Sequence, residues 1–183
     1  YYAGSDQDND VLHDLLLARG FHHHEWLRSY DKIGTASPSR GNPQVIVRPC
    51  DLARDLPALL DIEAGAFAPP WQHDAAEFAE IAAEYPFFVV AELPTGEVAA
   101  YQFSVVDGDT GFLVRIAVRA NLHGQGIGTR LMAAAMDYFA RSGASRVLLN
   151  AEEANTRAHR LYEWFGFELV PPRGFVLARD RHG

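Results

Sequence analysis

The stretch Leu122-His-Gly-Gln-Gly-Ile-Gly-Thr-Arg-Leu131 decides how the rest of the chain is read. Before it, the apolar run Phe112 to Val118 has the length and composition of a strand. After it, Ile127, Leu131, Ala134, Ala135 and Tyr138 recur at helical spacing, so Ile127 to Phe139 reads as a helix. Between the two stand three glycines at alternate positions, Gly124, Gly126 and Gly128. Glycine reaches positive φ without a Cβ penalty and lets the backbone approach a ligand. The first turn of a helix carries N–H groups with no intrahelical partner, and the helix dipole favours an anion beside them. Strand, glycine turn and helix start together read as a site for phosphate.

Two common phosphate sites do not fit. A P-loop needs Gly-Lys-Ser/Thr after its glycines, and Gly128 is followed by Thr129-Arg130. The dinucleotide fingerprint needs GxGxxG, and Gly124-x-Gly126-x-Gly128 is one residue too tight. Glu152 and Glu153 lie where a ribose-binding acid would be expected. However, that fold puts its glycine turn after the first strand, and here three strands precede the one that leads into it.

Composition sets wider bounds. A chain of 183 residues with 48% hydrophobic residues can bury a sizeable core. No apolar run approaches a membrane span, and the N-terminus does not read as a secretory signal, so a soluble cytoplasmic protein is expected. The first residue is Tyr1 rather than Met, as in a processed product or a piece of a longer chain. A single cysteine, Cys50, fits a reducing compartment. Net charge −8 argues against nucleic acid as a partner.

Taken in order, Asn9 to Ala18 reads as a short helix capped by Asn9 and ended by Gly20, and Phe21 to Tyr30 as a strand. Of His22, His23 and His24, only the outer two could share a strand face, so no metal site is expected. Gly34 to Pro43 has the composition of a linker. From Gln44 onward the pattern gives a strand at Val45–Val47 and a helix capped by Asp51. After the rigid loop Ala68-Pro-Pro-Trp-Gln72 comes a second helix, Asp74 to Glu84. Strands follow at Phe87–Leu93, Glu97–Val106 and Phe112–Val118, then the long helix, a strand at Arg146–Asn150 and a helix at Asn155–Phe165. Two closing strands are expected, Phe167–Val170 and Phe175–Ala178. This order, with an antiparallel first half and a crossover helix in the second, is that of an α+β protein.

With the glycine loop, a second motif completes a resemblance: Asn155-x-x-Ala158-x-x-Leu161-Tyr162-Glu-Trp-Phe-Gly166-Phe167. Together they resemble the GNAT superfamily of acyl-CoA-dependent N-acetyltransferases, over roughly Gln44 to Ala178. Ala68-Pro-Pro-Trp71 is similar to the ribosomal-protein N-terminal acetyltransferase branch. The resemblance implies a mostly antiparallel sheet flanked by helices and splayed between its fourth and fifth strands. It implies acetyl-CoA as cosubstrate, no metal, and as acceptor a small-molecule amine or a protein N-terminus, in a monomer or homodimer. His123, Gly124, Gln125, Gly126, Ile127, Gly128 and Thr129 would hold the CoA pyrophosphate. Ile116, Ala117 and Val118 would pair with the pantetheine arm where it splays from the strand ending at Asn150, with Asn155 anchoring it. Tyr162 would protonate the departing thiolate.

Two positions depart from that pattern. His123 stands where Arg or Gln usually opens the loop, and Phe112 and Asn150 occupy places where a basic Glu often sits. Glu152 is the base carried forward, with Glu153, Asp109 or a water relay as substitutes. A catalytically silent acyl-CoA sensor is the rival of another class, and a nucleotide-binding protein a third reading.

The N-terminal segment echoes the second motif. Asn9 to Gly20-Phe21 spans the same distance as Asn155 to Gly166-Phe167. His13 matches His159, Leu15 matches Leu161, Asp6 matches Glu152, and Leu16 stands in place of Tyr162. Residues 1–33 are therefore expected to be a strand-helix-strand remnant of a degenerate preceding domain of the same fold, residues 34–43 a linker, and 44–183 the acetyltransferase domain.

Overall fold

The computed structural model describes residues 2–5 and 10–179, the side chains of residues 2–5, 10, 70 and 172 excepted. The Asn9 cap and the Asp6–Glu152 match fall outside these residues. The chain divides into two compact units, Ile33–Val147 and Tyr1–Lys32 together with Leu148–Gly183.

In the first unit, β3 (Ile46–Pro49), β4 (Phe87–Glu92), β5 (Val98–Asp107) and β6 (Thr110–Val118) lie in the order β6-β5-β4-β3, every pair antiparallel. Alternate side chains feed two cores, as the period of a strand requires. Phe88, Val90, Tyr101 and Phe103 pack with Leu59 and Ile62 of α2 (Leu52–Ala66) and with Phe78 and Ile81 of α3 (Ala75–Glu84). Val89, Ala91 and Ala100 pack with Ile127 and Leu131 of α4 (Ile127–Arg141). Residues covered on both faces explain why β5 is buried along most of its length. The caps are local. Asp51 accepts from Ala53 N, and Asp74 and Glu77 close a capping box at α3. Pro57 sits inside α2 without ending it.

In the second unit, β1 (Tyr2–Ser5), α1 (Asp10–Ala18) and β2 (His22–Ile33) join β7 (Arg146–Glu152), α5 (Thr156–Trp164) and β8 (Glu168–Ala178). The strand order is β1-β8-β2-β7. The two closing strands expected from the sequence are one. β8 runs through Pro171 and Pro172 because residues 171–173 face a register shift between Leu27 and Ser29 of β2. A bulge suspends the ladder there, so the missing proline N–H groups cost nothing.

Candidate functional site

The glycine loop is held by its carbonyls. Asn42 donates its side-chain amide to Gln125 O (3.0 Å) and its backbone N–H to Gly126 O (3.2 Å). Arg130 Nε donates to Val45 O at 3.2 Å. The segment read as a linker thus lies against the loop. Gly41, at φ 68°, is so close that a Cβ would stand 2.4 Å from Arg130 N. Gly126 caps α4 in the left-handed region (φ 74°) and has no side chain to satisfy the helix's first N–H groups. Among the described residues nothing accepts from the N–H groups of Gln125, Gly126, Ile127, Gly128 or Thr129. Pinned carbonyls with free N–H groups make a preformed nest for an anion.

Upstream, Ile116, Ala117 and Val118 pair with Gln102, Tyr101 and Ala100 of β5, just past a register shift at Val114. His123 Nε2 donates to Val118 O (3.0 Å), so its ring reaches back to the strand end and not forward to the loop. Gln102, opposite Ile116, is fully buried and its Oε1 has no partner among the described residues. Phe112 and Asp109 belong to the hairpin end. The Asp109 carboxylate accepts from Thr110 and Ser145 hydroxyls (3.1 and 3.2 Å).

A feature that the sequence reading missed lies between α2 and β6. Glu63, 1% exposed, accepts from Arg115 Nε (3.0 Å) and Nη2 (2.7 Å) and from His73 N (2.8 Å). Arg115 also donates to Trp71 O (2.6 Å) and stacks on Phe67 at 3.6 Å. The Ala68–Gln72 loop is thereby fastened to the strand. His73 leans on Phe78 and Phe103, and burial, with the Arg115 charge, lowers its pKa, so it is neutral at pH 7. No spacing rule joins residues so far apart, and only the buried-charge type of Glu63 inside an apolar helix face hinted at it.

In the other unit, Tyr162 is 4% exposed on α5, near Tyr30 (ring centroids 5.7 Å) and Phe167 (6.1 Å). Burial pushes its phenol pKa up, with Tyr30 adding to the effect, so the hydroxyl stays protonated at neutral pH. Asn155 caps α5, accepting from Ala158 N at 3.1 Å, which leaves its amide N–H groups to donate. Asn150 is exposed within β7, which runs two residues past the end expected from the sequence, to Glu152. Glu153 is occupied: Arg28 (3.1 Å) and Arg173 both bind it and hold its carboxyl below its ordinary pKa. Glu152 takes no side-chain partner among the described residues. His23 Nε2 lies 3.1 Å from His13 Nε2, and no group of three or more potential ligands exists among the described residues.

Comparison with known proteins supplies the family. The model of the acetyltransferase (GNAT) family matches residues 56–167. The [ribosomal protein bS18]-alanine N-acetyltransferase of Escherichia coli (strain K12) is 33% identical over 128 residues, 69% of this chain and 84% of that protein. The crystal structure of the Escherichia coli S18 enzyme superposes with a TM-score of 0.63 at 24% identity, over 74% of this chain and 92% of that one. A GCN5-related N-acetyltransferase structure from Sphaerobacter thermophilus gives 0.73 at 16% identity; it covers 96% of this chain, which spans 57% of that longer one. The expected GNAT fold is therefore present, and the chain belongs to the acetyltransferase (GNAT) family of acyltransferases.

Proposed function

We propose that the protein moves an acetyl group from acetyl-CoA to an amine, the first candidate acceptor being the α-amine of a protein N-terminus. The observation that carries this is the glycine loop, whose carbonyls are tied down by Asn42 while the N–H groups of Gln125 to Thr129 are left free. Those groups, with Gly124, would hold the pyrophosphate, and His123 would join them only by leaving Val118 O. Ile116 to Val118 would pair with the pantetheine amides, and Asn150 and the free amide of Asn155 would bind the same arm. The amine attacks the thioester carbonyl. The oxyanion is met by backbone N–H near Val118, the C–S bond breaks, and Tyr162 gives its proton to the thiolate. The proton lost by the amine goes to Glu152, the uncommitted carboxylate, or to water. An α-amine suits a site without a strong base, because its pKa near ~7.7–8 leaves a sizeable neutral fraction at pH ~7–8, where a lysine near ~10.4 has almost none. The acceptor of the Escherichia coli relative, ribosomal protein bS18, supports a protein terminus over a small amine.

Thiol release from acetyl-CoA, run with N-terminal peptides and with small amines, tests the reading. Turnover with an alanine-terminated peptide that falls at least tenfold in Tyr162→Phe is the expected result. CoA binding with no acceptor ever acetylated would favour a silent sensor, which the non-titrating Asn150 at a common base position allows. Tight ADP-ribose binding without CoA binding would overturn both.

A further inference from the structure

The β1-α1-β2 and β7-α5-β8 pieces repeat at an offset of 146 residues. Adding it to Asp10–Ala18 gives the α5 bounds Thr156–Trp164. The turns close with matching bonds. Phe21 N donates to Leu16 O (3.1 Å) as Phe167 N does to Tyr162 O (3.0 Å), and Gly20 N to Leu17 O (3.0 Å) as Gly166 N does to Glu163 O (2.9 Å). Gly20 and Gly166 have φ of 83° and 82°. The order β1-β8-β2-β7 reads the same when the two pieces are interchanged, which is a local twofold with each closing strand inserted into the other piece. The register agrees. Tyr2↔Leu177 and Ser5↔Gly174, carried across the offset, put Leu148 opposite Asp31 and Ala151 opposite Arg28. Two residues further along this register, Glu153 N donates to Trp26 O at 2.8 Å. The Sphaerobacter structure matches nearly all of this chain, whereas the smaller Escherichia coli enzyme matches 74% of it.

The copies differ where it matters chemically. Tyr162 is matched by Leu16, and Tyr30, 1% exposed, is matched at the same offset by Val176. One half of the twofold therefore has an aliphatic pair and the other a pair of phenols. His159 Nε2 donates to Glu153 O (3.0 Å), which leaves Nδ1 to accept from the Tyr30 hydroxyl at 2.8 Å. Tyr30 is thus fixed in orientation, with its ring against Tyr162 and tilted by 60°.

We propose that residues 2–33 are a degenerate copy of the closing piece of the fold, and that their strand β2 brings in Tyr30 as a positioning residue for the Tyr162 phenol. This rests on Tyr162 being the acid named above. Tyr30 acts through Tyr162 and touches no substrate. The test is a double-mutant cycle of Tyr30→Phe and Tyr162→Phe in the full chain, read as kcat and KM for acetyl-CoA. Tyr30→Phe should lower kcat about tenfold with KM within about twofold, and should add nothing in the Tyr162→Phe background. His159→Gln, which cuts the same hydrogen bond from the other side, should reproduce that split even if Tyr30→Phe folds poorly. An unchanged kcat in both variants, or a loss of equal size in the Tyr162→Phe background, overturns the proposal. If Tyr162→Phe is crippled while Tyr30→Phe and His159→Gln are not, only this inference falls. If Tyr162→Phe also retains full turnover, the acid assignment falls with it.

Discussion

Replacing Glu63 by Gln isolates the energetics of the fastening between α2 and β6. Glu63 is buried and accepts three hydrogen bonds, two from Arg115 and one from His73 N, while only 15% of the Arg115 side chain is exposed. Glutamine keeps the shape but presents one oxygen and an NH2 group to those three donors, so Arg115 stays buried with its charge uncompensated. Removing one member of a buried pair costs about 3–5 kcal/mol, and the oxygen that glutamine retains places the expectation near the lower end, about 3. For a chain of this size 1 kcal/mol moves Tm by about 2–4 °C, so Tm should fall by about 6–12 °C. Circular-dichroism melts and urea titrations measure it, with the urea m-value unchanged. The double variant Glu63→Leu/Arg115→Met should recover most of the loss, since an apolar pair of similar volume replaces a buried ion pair at little net cost. A Tm shift under about 2 °C for Glu63→Gln, or a double variant less stable than the single, would refute the argument.

Two further outcomes follow from other parts of the structure. Gly126→Ala forces a Cβ onto φ 74° and to 3.2 Å from Asn42 N; it should cost about 1–2 kcal/mol in stability. Its loss of acetyl-CoA affinity, by calorimetry, should exceed tenfold, and unchanged affinity would remove the loop from the cofactor site. Asp55 is the buried partner of Arg48. Burial raises its pKa, but the Arg48 hydrogen bonds, the Asp51 N–H and the Arg48 charge outweigh that and leave it lowered. Its contribution is therefore present above the unfolded carboxylate value near ~3.9 and is lost as pH falls through the folded value. Melting temperature should hold between pH 7 and 5 and drop below about pH 4, with the drop shallower in Asp55→Asn. An acid limb of equal depth in that variant would assign the effect elsewhere.

Much of the fold could be read from period and punctuation. The apolar runs Phe87–Glu92 and Val98–Asp107, the caps Asp51 and Asp74, and the glycine loop before α4 all act within a few residues, and each stands close to where its pattern put it. The boundaries that moved had long-range causes. The prolines at 171 and 172 suggested a break, and β8 continues because β2, more than a hundred residues away, is bulged opposite them.

The sequence by itself determined the family, most of the element order and the place of the glycine loop before α4, because hydrophobic period, capping and glycine spacing are local physics written in adjacent residues. Tertiary structure alone decided that Asn42 ties the loop's carbonyls, that Arg115 answers Glu63, that Glu153 is neutralised by Arg28 and Arg173, and that Tyr30 stands against Tyr162. These are choices of partner between groups 20 to more than 100 residues apart. Such partners are set by which edges and faces meet when the strands assemble, and no single stretch of sequence carries that information.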